Sequence, residues 1–163
     1  MEQLTIVKVG GAIVESDDSL NNLLSKFSNI PGHKLLVHGG GRSATKMAER
    51  LGISQTMIGG RRVTDAETLQ VVTMVYGGLV NKHIVALLQT KGVNALGLTG
   101  ADLNLIQSHK RPLKKVKMDD GTVQEVDYGF VGDIDKVNAD ILGNLISQGV
   151  VPVLSPLTHD CMG

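Results

Sequence analysis

The sequence predicts an α/β fold: a three-layer sandwich with a mainly parallel central sheet, helices on both faces and a β-hairpin insertion near residues 113–131. Short apolar runs rich in β-branched residues alternate with amphipathic stretches, which is typical of parallel βαβ units. Each glycine cluster is expected at the carboxyl end of a strand, where such sheets bind ligands. The 163 residues, 42% of them hydrophobic, suit one domain with a real core.

The first part of the chain predicts two strand–helix units. Leu4–Val9 is an apolar run that ends in glycines, which indicates a buried strand and a tight turn. Ser16 precedes two acidic residues and a helical apolar stripe, so a capped helix is expected to end before Pro31. A second strand over residues 34–37 leads into a second amphipathic helix, and a strand-like stretch, Thr56–Ile58, follows.

A long helix is predicted in the middle of the chain. Thr64 and Glu67 have the spacing of a capping box, in which each side chain bonds to a backbone amide near the other. The helix is expected to run to about residue 91, with an apolar face broad enough to pack on the sheet and also meet a partner chain. Gly77 and Gly78 inside it predict close packing or a kink, because glycine weakens a helix by about 1 kcal/mol relative to alanine.

The second part of the chain predicts two more central strands and a polar insertion. Residues 93–98 form the third strand, and residues 113–131 are interpreted as a β-hairpin with a turn at Asp119, Asp120 and Gly121. Asn138 is a candidate cap for a helix that precedes the last strand, residues 150–154.

Composition and charge disfavour several classes of protein. Lys plus Arg and Asp plus Glu both total 16, so the chain lacks the basic excess of nucleic-acid and membrane-surface binders. We find neither a leader pattern nor an apolar run near the roughly 18 residues of a membrane span, so a cytoplasmic protein is expected. The lone cysteine, Cys161, and five histidines without metal-ligand spacing predict no disulfide and no metal site.

Lys8 and the two glycines after it are the first candidate phosphate site. Lys8 stands in an otherwise apolar strand, where an unpaired cation is costly to bury. The amides of Gly10 and Gly11 follow at once, so the lysine and these amides together could hold a phosphate oxygen. A lysine that reaches from the strand end into solvent is the alternative interpretation.

Three successive glycines, Gly39, Gly40 and Gly41, follow His38 at the start of the second helix. Their amides and the helix dipole favour an anion, although a tight turn alone would also use glycine. Gly39, Gly41 and Ala44 also match the dinucleotide fingerprint, but the acidic residue expected about 20 positions later is missing. We interpret His38 as structural, with its ring bonded to nearby backbone.

Arg61 and Arg62 stand at the start of the long helix, where a guanidinium suits recognition of a carboxylate, and one of the two is expected to be solvated. Asp102, in another strand-end loop, is interpreted as a cap. Lys8, the glycine amides and Arg62 would meet at one sheet edge, which suggests phosphoryl transfer to a small anionic substrate. A carboxylate acceptor is already ionised at neutral pH and needs no general base.

Seven segments, in their order and spacing, resemble the N-acetylglutamate kinases of the amino-acid kinase superfamily. They are KVGGA (8–12), HGGG (38–41), GRRVTDAETL (60–69), VNK (80–82), GLTGAD (97–102), FVGDI (130–134) and VPVLSP (151–156). The resemblance runs from Lys8 to Pro156, and HGGG followed by Gly-x-Arg-Val-Thr is specific within the superfamily.

The resemblance implies phosphorylation of the side-chain carboxylate of N-acetyl-L-glutamate by ATP with Mg²⁺, in arginine biosynthesis. Lys8 would neutralise the transferring phosphoryl group. Gly40 and Gly41 would hold the substrate through their amides, and Arg62 would bind its α-carboxylate. N-succinylglutamate would fit the same recognition, with Arg61 as an extra partner.

The resemblance also bears on domains and partners. Family members continue into a second half that carries most of the ATP site, so residues 1–163 are expected to be a single domain. It would be the N-terminal acylglutamate-binding lobe, inactive on its own without the nucleotide-binding half. The 64–91 helix resembles one through which family members dimerise, and we expect neither nucleic acid nor membrane as a partner. A non-catalytic amino-acid-binding or regulatory module, and a dinucleotide-binding enzyme, are the alternatives.

Overall fold

The computed structural model describes residues 3–118 and 120–163, in which strands and helices alternate as the sequence predicts. The elements in chain order are β1 Leu4–Val9, α1 Gly11–Val14, α2 Asp17–Ser28, β2 His33–His38, α3 Gly41–Arg50, β3 Thr56–Ile58, β4 Arg61–Val63, α4 Ala66–Val72, a π-helical stretch Thr73–Val80, α5 Asn81–Gln89, β5 Ala95–Leu98, a 3₁₀ turn Asp102–Asn104, β6 Ile106–Lys110, β7 Lys114–Lys117, β8 Val123–Val126, β9 Gly132–Val137, α6 Ala139–Ser147 and β10 Val151–Leu154.

The central sheet is parallel throughout, in the order β1-β2-β10-β5. Val9 pairs with His38 at the ends of β1 and β2, and Leu154 pairs with both Val37 and Leu98. The carboxyl ends of the strands therefore lie along one edge of the sheet, where a ligand site is expected in open α/β sheets. The predicted mainly parallel sheet is confirmed.

Helices cover both faces of this sheet, as predicted. On one face, α2, α3 and the long helix contribute to a core in which Leu20, Leu24 and Phe27 are almost fully buried. On the other face, α6 packs on β2 and β10, and it contributes to a smaller cluster around Leu35 and Leu105. Burial of each such large apolar side chain stabilises the fold by roughly 1.5–3 kcal/mol, so these two layers hold the strand ends in place.

The long helix, α4 to α5, spans Ala66–Gln89 and is π-helical where Gly77 and Gly78 occur. The predicted departure from a regular helix is thus found. Its cap differs from the prediction, because the side chain of Asp65, not Thr64, accepts the amide of Thr68 at 2.8 Å. Thr64 is engaged through its backbone instead, donating to Tyr128 O and accepting from Phe130 N.

By length and composition alone, the 24-residue helix Ala66–Gln89 is apolar enough to cross a membrane, because an 18-residue window within it has a mean hydropathy of 1.5. The expectation that no apolar segment approaches that length is therefore wrong on this measure. In the fold, one side of the helix packs in the core through Val71, Val75, Ile84 and Leu88. An apolar stripe of this kind is also what a core helix requires.

Two antiparallel pairs lie outside the central sheet beside the predicted strands. β7 and β8 form the hairpin predicted over residues 113–131, and Asp119, in its predicted turn, lies outside the described residues. The sequence did not predict the pair β6 and β9, which extends the insertion on both sides. Gly59 and Gly60, both at positive φ, form the turn between β3 and β4 rather than the end of a parallel strand, which corrects the expectation for that glycine cluster.

Candidate functional site

The two glycine loops that follow β1 and β2 lie against each other. The Gly39 amide donates to Val9 O at 2.8 Å, which joins the loops. A Cβ placed on Gly11 would lie 3.6 Å from the Gly41 nitrogen and 3.9 Å from the Gly40 nitrogen. A Cβ placed on Gly39 would lie 3.4 Å from the Gly11 nitrogen. The amide nitrogens of both loops are therefore gathered in one place.

Three of these amides have no hydrogen-bond partner in the described part of the chain. Within the described residues, the N–H groups of Gly11, Gly40 and Gly41 donate no hydrogen bond. Gly11 and Gly41 are also the first residues of α1 and α3, so both helices begin at this point. Gathered N–H groups at helix starts attract negative charge, so the loops can bind a phosphate or a carboxylate, as the sequence predicted for this cluster.

The space available for a side chain differs between the glycines of these loops. A Cβ on Gly40 would lie 2.8 Å from Cδ1 of Tyr76, so this position has no room for a larger residue. A Cβ on Gly10 would meet nothing within 4 Å, and the Gly10 φ of −74° suits any residue. Packing against Tyr76 thus explains why residue 40 is glycine. At Gly10 no neighbouring atom requires glycine, and the space beside its backbone is open.

Lys8 is exposed on β1, two residues before Gly10. Its ammonium group has no hydrogen-bond or ion-pair partner among residues 3–118 and 120–163. It also does not line the cavity that Arg62 lines. The structure therefore leaves Lys8 as an unpaired cation next to the first glycine loop, separate from the predicted carboxylate-binding residue.

Arg62 points to the start of α3. Its Nη2 donates to Gly41 O at 2.8 Å and to Thr45 Oγ1 at 2.6 Å, while its Nε is buried without a partner. Arg62 lies on the short strand β4 just before the long helix, and the neighbouring Arg61 is exposed. The guanidinium thus joins the glycine loop and retains one buried donor without a partner.

A cavity of about 670 Å³ opens beside Arg62, between the long helix, the ends of the central strands and the loop before β9. This volume is typical of small-molecule sites. Most of its lining is apolar, and Arg62, Tyr76 and Ser155 contribute polar groups. The Ser155 hydroxyl is buried and has no partner. Sequence reasoning missed Tyr76 and Ser155, because neither belongs to a glycine or charge motif.

A buried hydrogen-bond network of His38 and Asn81 contacts the backbone of the second glycine loop. His38 Nδ1 lies 2.8 Å from Gly39 O, and its Nε2 lies 3.1 Å from Asn81 Nδ2. Burial lowers the pKa of His38 below its ordinary value, so the ring is held neutral. The structural interpretation of His38 is confirmed. Asn81 was missed, although an asparagine inside an apolar helix was a signal that it has a buried partner.

Two further sequence-based interpretations have clear outcomes. Asp102 accepts hydrogen bonds from the Thr99 amide at 2.6 Å and the Thr99 hydroxyl at 2.9 Å, so it bonds back to the preceding loop. The turn that follows has no side-chain cap, which corrects the prediction of Asp102 as its cap. Gly97 lies inside β5, where Asn81 packs directly on its Cα, and not in a strand-end loop. Across the described residues, no group of three or more His, Cys, Asp or Glu side chains is arranged to hold a metal ion.

Comparison with known proteins places these features in a family context. The model of the Amino acid kinase family matches residues 3–162. An acetylglutamate kinase from Phocaeicola vulgatus is 65% identical over 99% of this chain and 59% of its own length. An acetylglutamate kinase from Parabacteroides distasonis is 64% identical over 100% of this chain and 60% of its own length. The chain therefore spans about 60% of the length of these curated relatives.

Solved structures show the same fold at low sequence identity. A Streptococcus mutans protein superposes with a TM-score of 0.74 at 22% identity, over 98% of this chain and 61% of that one. N-acetylglutamate synthase from Neisseria gonorrhoeae, complexed with coenzyme A and N-acetyl-glutamate, superposes with a TM-score of 0.72 at 22% identity, over 98% of this chain and 35% of that one. These similarities concern the fold alone.

Proposed function

Because the chain belongs to the amino acid kinase family, we propose that it serves in ATP-dependent phosphorylation of the side-chain carboxylate of N-acetyl-L-glutamate, a step of arginine biosynthesis. The observation that carries the proposal is the group of free amides of Gly11, Gly40 and Gly41 beside the Arg62 guanidinium. A dicarboxylate fits this arrangement, since one end can meet the amides and the other the guanidinium.

Each residue then has a distinct role in the reaction. The amides of Gly40 and Gly41 hold the side-chain carboxylate, and Arg62 binds the α-carboxylate through Nη1, the guanidinium nitrogen that is neither buried nor bonded to Gly41 and Thr45. Lys8, with the amides of Gly10 and Gly11, neutralises charge on the phosphoryl group. A carboxylate oxygen forms the new bond to the γ-phosphorus while the bond to ADP breaks, and no proton has to be removed. Positioning and charge neutralisation are the main sources of catalysis in such transfers.

ATP with Mg²⁺ would supply the phosphoryl group in this scheme. The free glycine amides suit its phosphates, whereas the described residues offer no metal cluster of their own. Mg²⁺ commonly arrives bound to nucleotide phosphates with few protein ligands, which fits this donor set. The prediction that the nucleotide-binding half lies outside these 163 residues, which form the acylglutamate-binding lobe, stays a prediction, as does a cytoplasmic location.

Calorimetric titration tests the substrate side of the proposal. We expect the chain to bind N-acetyl-L-glutamate and to release no acyl phosphate when ATP and Mg²⁺ are added. An ATP-dependent acyl-phosphate signal that disappears in Lys8→Ala would show that the 163 residues are active by themselves. Thermal stabilisation by NAD alone, without any effect of N-acetyl-L-glutamate, would instead favour a dinucleotide-binding enzyme and contradict the proposal.

The acyl group can be tested with the same titration. N-acetylglutamate is the proposed substrate, and N-succinylglutamate carries one more carboxylate. The exposed guanidinium of Arg61, next to Arg62 on β4, would serve as the partner of that extra charge. Arg61→Leu should then weaken binding of the succinyl compound alone. An equal loss for both compounds would remove this role from Arg61.

We also propose that the long helix forms a homodimer. Its π-helical stretch exposes two large apolar side chains, Met74 at 56% and Leu79 at 59% exposure. Exposed apolar side chains on a helix whose other side packs in the core are typical of a surface that meets a partner. Sedimentation should give a dimer whose dissociation increases in Leu79→Lys. A monomer at all concentrations in the unmodified chain would contradict the proposal.

A further inference from the structure

Tyr76 lies on the π-helical stretch of the long helix with its ring against the second glycine loop. A Cβ on Gly40 would lie 2.8 Å from the ring's Cδ1 and 3.0 Å from its Cε1. A Cβ on Gly41 would lie 3.8 Å from the phenol oxygen. The ring therefore follows the loop from Gly40 towards Gly41, and its hydroxyl group lies at the first residue of α3.

The hydroxyl group of Tyr76 has no hydrogen-bond partner in the part of the chain that the structure describes. The half-buried side chain lines the 670 Å³ cavity together with Arg62 and Ser155. Both of these neighbours also hold a buried polar atom without a partner, Nε of Arg62 and Oγ of Ser155. Buried polar groups in folded proteins are normally paired, so two unpaired buried groups beside the open Tyr76 hydroxyl indicate that this cavity takes a polar ligand.

Packing explains the aromatic ring of Tyr76 but not its hydroxyl group. The contact with Gly40 is made by ring carbons, and a phenylalanine would make it equally well. The other tyrosine of the chain, Tyr128, differs in this respect, because its hydroxyl donates to Ile58 O at 3.3 Å. A tyrosine hydroxyl at a largely apolar surface usually has a polar partner, so Tyr76 is the tyrosine whose partner is missing.

We propose that Tyr76 is a substrate-contacting residue whose hydroxyl donates a hydrogen bond to the substrate oxygen held by the Gly41 amide. This inference rests on the proposed function, in which that oxygen belongs to the side-chain carboxylate of N-acetyl-L-glutamate. That oxygen then meets two donors, the Gly41 amide at the start of α3 and the Tyr76 hydroxyl on the long helix. The two donors position the side-chain carboxylate, and a neutral group at the same place in the ligand is expected to bind less well.

The test compares two tyrosine-to-phenylalanine variants by calorimetric titration with N-acetyl-L-glutamate. Tyr76→Phe keeps the ring on Gly40 and is expected to weaken binding about tenfold, as loss of a hydrogen bond to a charged group does. Its midpoint of thermal unfolding should stay unchanged. Tyr128→Phe removes a hydroxyl group outside the cavity and is expected to leave the dissociation constant unchanged.

A second ligand identifies the oxygen that accepts the hydrogen bond. N-acetyl-L-glutamine has a neutral amide where N-acetyl-L-glutamate has the side-chain carboxylate. The ratio of the dissociation constants of Tyr76→Phe and the unmodified chain should therefore be smaller for N-acetyl-L-glutamine than for N-acetyl-L-glutamate. Equal affinities of the two chains for N-acetyl-L-glutamate, or the same factor for both ligands, would overturn the assignment. If the unmodified chain bound neither ligand, the proposed function would fail, and the assignment with it.

Discussion

The side-chain amide of Asn81 lies 3.1 Å from Nε2 of His38 and fixes that ring in one protonation state. The same amide nitrogen donates to Val153 O at 2.9 Å, so it is the nitrogen and not the oxygen that faces the ring. Nε2 therefore accepts, and Nδ1, 2.8 Å from Gly39 O, carries the hydrogen. One neutral histidine thus joins the long helix, the sheet and the second glycine loop.

Asn81→Ala should destabilise the fold strongly. The change leaves two buried acceptors unpaired, Nε2 of His38 and the carbonyl group of Val153, and the Lys82 ammonium loses its contact with Asn81 Oδ1. Unpaired buried polar groups cost about 1–3 kcal/mol each, so we expect a loss of roughly 2–4 kcal/mol in the free energy of unfolding. Urea denaturation measures it. Asn144→Ala, on an exposed position of α6, is the control, and a similar loss there would contradict this account.

The free energy of unfolding should decrease as the pH falls through a window set by His38. Burial lowers the pKa of His38 in the folded chain below its value of 6.5 in the unfolded one. Between these two pKa values the unfolded chain binds more protons than the folded chain, so the free energy of unfolding decreases as the pH falls. Above the unfolded pKa, the contribution of His38 to stability is fully present. A charged ring would also present a second donor to Asn81 Nδ2. Urea denaturation from about pH 5 to about pH 8 should show less of this decrease in His38→Gln.

The parallel sheet could be predicted because its strands are short apolar runs closed by glycines. Leu4–Val9 has the predicted bounds, and the hairpin of β7 and β8 lies within its predicted range. The pair β6 and β9 was missed, since both strands carry polar and charged residues and lie outside the main core. The cap of the long helix was misplaced by one residue, because the backbone of Thr64 is engaged in pairing that a local pattern does not show.

The glycine loops of the candidate site were visible in the sequence, but their supporting residues were not. Asn81 and Tyr76 both lie on the long helix, and their roles depend on which side of it faces the strand ends. The apolar period marks the side of the helix that packs in the core, but it does not show which residues on that side lie against the strand ends. The local pattern also could not show that Gly40 and Gly97 are required by these two side chains.

Gly40→Ala should destabilise the chain through one identified collision. The obstacle is the Tyr76 ring, whose Cδ1 would lie 2.8 Å from the new Cβ. Overpacking of this kind costs about 1–3 kcal/mol. In Tyr76→Ala the collision is absent, and adding Gly40→Ala should then cost much less in thermal unfolding. Gly10→Ala, which meets open space, is the stability control. Additive losses in the double variant would contradict the contact.

Arg62→Lys and Arg61→Lys form a matched pair, since both keep the charge on adjacent residues of β4. Arg62 donates from Nη2 to Gly41 O and Thr45 Oγ1, and its Nε is buried, so Nη1 is the guanidinium nitrogen left for a carboxylate. A lysine cannot serve both sides at once, because its donors share one atom. We expect Arg62→Lys to weaken binding of N-acetyl-L-glutamate by about 10- to 100-fold in calorimetric titration. Arg61→Lys, at an exposed position, should leave that affinity unchanged, and equal effects of the two variants would show that charge alone, without the guanidinium geometry, explains recognition at this strand.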